Sequence, residues 1–378
     1  MEKVSVFVGL DVHKDSIAVA VAEDGRQGEV RFLGNISSAP GVLDKILQRI
    51  RSRYASIEIA YEAGPTGYGL YRSLTAKGFA CKVVAPSHTP KRPGNRIKND
   101  TRDAMMLARL LRAGELTAIW VPDEVHEAMR DLTRARQSAS YDVRKARQRI
   151  QSFLLRYERR YNSKCWSKSH RIWLADQSFD HDAQQAAFQN YLNAHEQAES
   201  RRSQLDCQIA ELMPYWSLAP TVEALQALKG IGLVIAATLV AEIGDLIRFA
   251  NPRQLMAYLG LVPGEHSSGK SIRPNGITKT GNIAMRALLF EAAWSYRSKP
   301  KIGSWCWSRM PNVEQPIKDI AWKAQLRLHS RYRKLITNGK KSQVAVTAVA
   351  RELLGFIWAV CQCIHAHSNV RYRHSGLA

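Results

Sequence analysis

No Cys-x-x-Cys pair occurs in this 378-residue chain, and its six cysteines lie scattered at 81, 165, 207, 306, 361 and 363. Zinc-finger spacing is therefore absent, and isolated thiols suit a reducing cytoplasm better than a disulfide framework. Acid is scarce: 33 Asp and Glu stand against 55 Lys and Arg, a formal charge of +22. That imbalance disfavours basic partners and points to a polyanion, nucleic acid first, because neutralising phosphates releases counterions. A ribosome-associated or membrane-surface protein would carry the same sign. The start, MEKVSVFVGLDVHKD, lacks an apolar stretch followed by a small-residue cleavage site, so no signal peptide is expected. No run reads as apolar for long enough to cross a bilayer, and the expected location is the cytoplasm. A GxxxxGK[ST] phosphate loop is also missing. Internal repeats and low-complexity tracts are absent as well.

What is present is a chain with 45% hydrophobic residues, enough for packed cores in two or three domains. Residues 4–12, 17–23 and 29–34 are β-rich runs joined by short connections, an expected antiparallel meander. Pro40 opens a helical pattern over 40–53, with Val42, Leu43, Ile46, Leu47 and Ile50 on one face. A strand at 57–61, a helix at about 67–78 and a strand at 82–85 follow. Residues 86–99 read as a proline-rich basic loop, and 101–113 as a helix stopped by Gly114. The order βββαβαβα predicts an α/β domain over 1–120.

The pattern then changes. Leu132, Ala139, Val143, Ala146, Ile150, Phe153 and Tyr157 recur in three- and four-residue steps, a heptad seam interrupted by Arg136. Phe188, Tyr191, Ala198, Leu205, Ile209 and Leu212 form a second frame, with His195 and Arg202 at two core positions. These predict a helical, coiled-coil middle over 121–218, packed as an antiparallel hairpin or across a dimer. Twelve lysines and arginines lie between 131 and 171 against Asp131, Asp142 and Glu158, so this segment is a candidate phosphate surface. The basic stretch 323–341 is another, and Trp305 and Trp307 are candidates for base stacking or for burial. Residues 219–378 predict a mostly helical domain. Within it, LKGIGLVIAATLVAEIG carries a Gly-x-Gly turn of helix-hairpin-helix type, which presents backbone N–H groups to phosphate or simply turns the chain. Residues 263–282 predict a long polar loop, 283–297 and 314–336 helices, and 342–366 an apolar helix packed back onto the domain.

Four acids stand at element ends. Asp11 lies near the end of the first strand, Glu62 just after the fourth, and Asp100 and Asp103 one helical turn apart at the start of the next helix. If strands one and four are neighbours, the four carboxylates meet. Such a ring is unfavourable without cations, and Mg²⁺, a hard oxygen-seeking ion, would neutralise it and polarise a phosphodiester. Taken singly, Asp11 reads as a turn residue, Glu62 as a solvated strand end and Asp100 as a helix cap.

The blocks GLDVHKD, YEAGPTGYGL and KNDTRDAMMLARLL resemble those of the DEDD transposases, whose N-terminal domain is similar to the RuvC resolvase, an RNase H-like fold. The blocks LKGIGLVIAATLVAEIGD, ANPRQLMAYLGLVPGEHSSGKSIRPNGITKTGNIAMRALLFEAAW and KKSQVAVTAVARELLGFIWA resemble the C-terminal domain of the same group. This is the Piv-like, bridge-RNA-guided insertion-sequence family one-ten, with spacing closer to its eleven-eleven branch. The resemblance spans nearly the whole chain except about 160–215. It implies that Asp11, Glu62, Asp100 and Asp103 bind Mg²⁺ and that Ser268, before Gly269 in HSSGK, is a nucleophile. Ser267 is adjacent, and by spacing alone a serine before glycine is an ordinary turn. The resemblance also implies RNA-guided transposition in a prokaryotic, nucleoid-associated setting, with donor and target DNA and a guide noncoding RNA as partners. A homodimer joined by the helical hairpin and a tetramer on DNA are implied too. Lys270, Arg273, Lys279 and Arg286 flank the serine as candidate phosphate contacts, Arg286 foremost. Two rivals stay open: a metal-dependent junction nuclease using water, and a non-catalytic nucleic-acid-binding regulator.

Overall fold

The computed structural model describes residues 5–86, 89, 99–265, 274–301 and 313–375. It divides into two compact units, residues 1–121 and 122–378.

In the first unit, β1 (Val6–Val12), β2 (Ser16–Glu23) and β3 (Val30–Ser37) form the expected antiparallel meander. β4 (Ile57–Glu62) joins β1 in parallel, and β5 (Ala80–Val84) joins β4 in parallel, giving the order β3-β2-β1-β4-β5. This mixed five-stranded sheet is consistent with a RuvC-like fold. Strand alternation divides its side chains between two faces. Val6, Val8 and Leu10 of β1, with Ile59 and Tyr61 of β4, pack against α1 (Val42–Arg51) and α2 (Gly69–Ala76). Leu43, Leu47 and Ile50 are the buried stripe of α1, and each burial stabilises the fold by about 1.5–3 kcal/mol.

The other face takes α3 (Asp100–Arg112). Ala60 and Val84 pack there with Leu107 and Leu111, and Ala18 and Ala20 with Ala104. These small residues let α3 lie close to the sheet. The approach is tightest at Gly9, where a Cβ would stand 2.2 Å from the Ala104 carbonyl oxygen and 2.5 Å from the Ala108 nitrogen. Only glycine fits beneath that helix.

In the second unit, α4 (Glu124–Arg156), α5 (Lys168–Ala175) and α6 (Asp182–Leu212) precede a cluster of further helices. α4 and α6 pack antiparallel within one chain: Arg136 binds Asp206, Asp142 binds Arg201, and Arg147 binds Glu199. Two of the residues that interrupt the heptad frames, Arg136 and His195, are thus matched across the seam. His195 is buried and accepts a hydrogen bond from Arg147 Nε at 3.1 Å.

The main core of this unit gathers α7 (Ala219–Leu225), α8 (Leu233–Ile243), α9 (Pro252–Tyr258), α10 (Ile283–Ala293), α11 (Gln315–Thr337) and α12 (Ser342–Ser375). α4 is tied to it at one end. His126 and Arg130 Nε both donate to the Ala241 carbonyl, at 2.9 and 2.8 Å, capping the exit of α8. In the Gly-x-Gly turn, Gly230 has φ +85°, and a Cβ there would stand 2.4 Å from the Ala292 carbonyl oxygen. Close packing against α10 therefore accounts for this glycine.

Two expectations are corrected. The polar stretch 263–282 is not all loop: β6 (Pro263–Glu265) and β7 (Pro274–Ile277) pair antiparallel. Glycine and proline hide such short strands from any alternation rule. And among the described residues one helix is long and apolar enough to cross a membrane, Ser342–Ala366. Its Val346, Val349, Ala350, Leu353, Leu354 and Ile357 are buried in the helical core, which explains its composition.

Candidate metal centre and serine segment

The strand alternation that buries Val8 and Leu10 on one face turns Gly9 and Asp11 toward α3. On β4, Ala60 packs against α3, and Glu62 lies two residues on, on the same face. β1 and β4 run parallel in register from Val6↔Ile57 to Leu10↔Tyr61, so Asp11 and Glu62 sit at corresponding strand ends. α3 begins beside them. Asn99 caps it by accepting the Thr101 N–H at 3.0 Å, and Asp100 and Asp103 occupy the first turn, where the helix dipole favours anions.

Asp11 and Asp100 come together with His13, their ligand atoms all within 4.8 Å of one another. His13 Nε2 lies 3.2 Å from Asp11 Oδ2 and 3.6 Å from Asp100 Oδ1. Burial pushes the Asp11 carboxyl above its ordinary proton affinity. His13 opposes that, and the charges of Asp100 and Asp103 add to it. Asp103 is thus close enough to act on Asp11 electrostatically. Glu62 stands outside the three-residue group, and its Oε1 accepts a 2.7 Å hydrogen bond from the buried Thr89 hydroxyl.

His13 did not emerge from the acid pattern. Its signal was the Asp-x-His spacing, which places both side chains on one side of an extended chain. Thr89 carried no such signal, being one hydroxyl in a loop-like stretch. The donor set is dominated by carboxylate oxygens, which fits a hard divalent cation, with one imidazole at its edge.

Ser267, Ser268, Lys270 and Arg273 lie outside the described residues, as do Trp305 and Trp307. The flanks of the serine segment are described. Thr278 N–H donates to Val262 and Lys279 N–H to Gly260, joining the two sides. Lys279 is exposed and holds φ +59°. Arg286, expected to reach phosphate, commits one guanidinium nitrogen to the carbonyls of Leu259 and Gly281, each at 3.2 Å, and to that of Thr280. Asn282 caps α10 and reaches Glu242 at 3.0 Å.

Residues 8–158 match the DEDD transposase domain of the IS110 group, and residues 222–304 match the IS116/IS110/IS902 transposase family. A protein of Sinorhizobium fredii named as a transposase, y4qE, is 50% identical over 94% of this chain and 88% of its own length. The chain belongs to the IS110 family of transposases. The transposase for insertion sequence element IS1533 of Leptospira borgpetersenii is 30% identical, over 90% of this chain and 99% of its own. That for IS1111A of Coxiella burnetii is 25% identical over 76% of each. As a transposase, this protein acts on DNA, and its acidic centre lies within the DEDD match.

Proposed function

We propose that this transposase cuts and rejoins DNA through a covalent phosphoserine at Ser268, assisted by Mg²⁺ at Asp11, Glu62, Asp100 and Asp103. The observation that carries the reading is the juxtaposition of Asp11 and Asp100, with the charge of Asp103 also acting on Asp11. Burial and the neighbouring carboxylates raise the proton affinity of Asp11, and a hard cation relieves that repulsion. When bound, Mg²⁺ would supply electrostatic polarisation of the scissile phosphate and of a nearby hydroxyl.

The chain's own residues do the rest. The Ser268 hydroxyl loses its proton as its oxygen forms a bond to phosphorus, and the bond to the 3′-oxygen breaks. A 3′-hydroxyl later reverses the step by attacking the phosphoserine. The phosphoester linkage is conserved throughout, so no ATP is required. Lys270, Arg273 and Lys279 flank the serine as cations for the developing phosphate charge, while Arg286 steadies the segment's base. Pairing of a noncoding RNA with donor and target DNA would choose the sites. A homodimer, doubled to a tetramer on DNA, would bring two such centres to each exchange.

The test is a covalent protein–DNA adduct, formed with Mg²⁺, donor and target DNA, and RNA transcribed from the flanking DNA. Wild type is compared with Ser268→Ala, Ser267→Ala and Asp11→Ala. We expect the adduct to vanish in Ser268→Ala and Asp11→Ala and to persist in Ser267→Ala. Loss in Ser267→Ala alone would move the nucleophile by one position. Cleavage surviving in both serine variants would replace the serine step with attack by water.

A further inference from the structure

The arginines and lysines of the helical hairpin fall into two groups. Arg134, Arg136, Arg147, Arg171 and Arg201 each pair with a carboxylate. Among the described residues, Arg144, Lys145, Arg149 and Arg156 form no ion pair. Three of these unpaired cations line a recess of about 570 Å³ between α4 and α6.

The lining is aromatic as well as basic. Tyr141, Phe153 and Tyr191 contribute to it. Tyr141 is half exposed, with the Arg144 guanidinium carbon 5.2 Å and the Lys145 ammonium 5.4 Å from its ring centre. Arg156 sits 5.3 Å over the Phe153 ring. Asp142 is the one acid in the lining, and Arg201 already occupies it. Lys145, Arg149 and Arg156 are spaced by four and seven residues, about 6 and 10 Å along the helix.

A row of unneutralised cations beside an accessible ring is the chemistry that holds a single nucleic-acid strand: cations follow the phosphates, and bases stack on the aromatic. A duplex offers the phosphates but keeps its base faces stacked internally. The strand is DNA because a transposase acts on DNA, and cutting a duplex frees single strands. We propose that this recess of the helical unit binds single-stranded DNA. The proposal rests on the family's action on DNA and does not depend on the serine step.

Binding of a fluorescein-labelled dT12 strand and of a labelled duplex to the full-length protein would be followed by anisotropy at several salt concentrations, without Mg²⁺. The variants are Lys145→Gln/Arg149→Gln/Arg156→Gln together and Tyr141→Leu alone. These cations form no ion pair among the described residues, so their removal orphans no acid, and circular dichroism would verify folding. We expect the triple variant to bind dT12 about tenfold or more weakly. Its log affinity against log salt should flatten by about 2, since each phosphate contact on a single strand contributes about 0.7. Tyr141→Leu should weaken dT12 by about fivefold or more and leave the duplex unchanged. Unchanged dT12 affinity and slope in the triple variant would overturn the proposal. Equal losses for duplex and dT12 in the triple variant, with no effect of Tyr141→Leu, would overturn it in favour of duplex backbone contact. A changed oligomeric state by light scattering, with dT12 affinity intact, would assign the recess to a second copy of the chain.

Discussion

Asp11 shows at the scale of one side chain how stability and function oppose each other. Burial, together with Asp100 and Asp103, lifts its proton affinity above the ordinary value. A folded carboxyl with a raised pKa contributes stability below its unfolded value of 3.8, and that contribution is lost as pH rises through the folded value. At neutral pH the metal-free protein therefore carries this charge at a cost. Asp11→Asn removes the charge, so the metal-free variant should melt at the same or a higher temperature than wild type while losing DNA cleavage. Added Mg²⁺ should raise the wild-type melting temperature by binding only the folded chain, with little effect on the variant. An equal Mg²⁺ shift in both, by differential scanning fluorimetry, would show that the ion binds elsewhere.

Between elements, the acidic centre depends on how closely α3 lies on β1. Gly9 is two residues from Asp11 on the same strand face, and the Ala104–Ala108 backbone covers it. A methyl group there meets backbone atoms, which cannot rotate away as a side chain can. Gly9→Ala should therefore lift α3, and with it Asp100 and Asp103, away from Asp11. Overpacking of this kind costs about 1–3 kcal/mol. The loss of Mg²⁺ binding, read by isothermal titration, should exceed what the stability loss explains in a sample still folded. Unchanged melting and Mg²⁺ affinity would refute the close approach. This contact was not legible in the sequence, where Gly9 is simply one glycine in a β-rich run. The strands and helices around it were legible, because alternation and three-to-four spacing register burial directly. The three-residue turn from Asp100 to Asp103 was legible for the same reason. Thr89 was not, because it matters only through its contact with Glu62, far away in sequence, and His13 was marked by nothing more than the Asp-x-His spacing. The β6–β7 pair was hidden by its prolines and glycines, and the Arg286 carbonyl contacts by the absence of any local pattern for a side chain that reaches back 27 residues.

The helical unit as a whole should respond to acid through three buried imidazoles. Burial lowers the pKa of His126, His170 and His195 below the ordinary 6.5. Arg147 donates to His195 Nε2, which requires that nitrogen to be unprotonated, and Arg171 adds positive charge against Glu199 and Glu196. Around His126, Arg130 opposes protonation while Asp123, Glu242 and the Ala241 carbonyl favour it. His170 stands among Tyr161, Trp166 and Trp173, and its ring nitrogen Nδ1 accepts the Trp166 N–H. Below pH 6.5 the unfolded chain takes up protons that these folded rings refuse, so stability falls as pH falls from there toward the folded values. Glu199 does not blur that window. Burial raises its pKa, but His195, Arg147 and Arg171 outweigh burial and hold it below 4.5, so its contribution is lost only in stronger acid. The melting temperature should therefore drop between pH 7.5 and 5.5, and His195→Gln should make the drop shallower. Added salt separates this from general repulsion among the chain's +22 charges: screening weakens long-range repulsion but leaves the desolvation of a buried ring. A melting temperature that is flat with pH, or a drop abolished by salt, would remove the buried histidines as its cause.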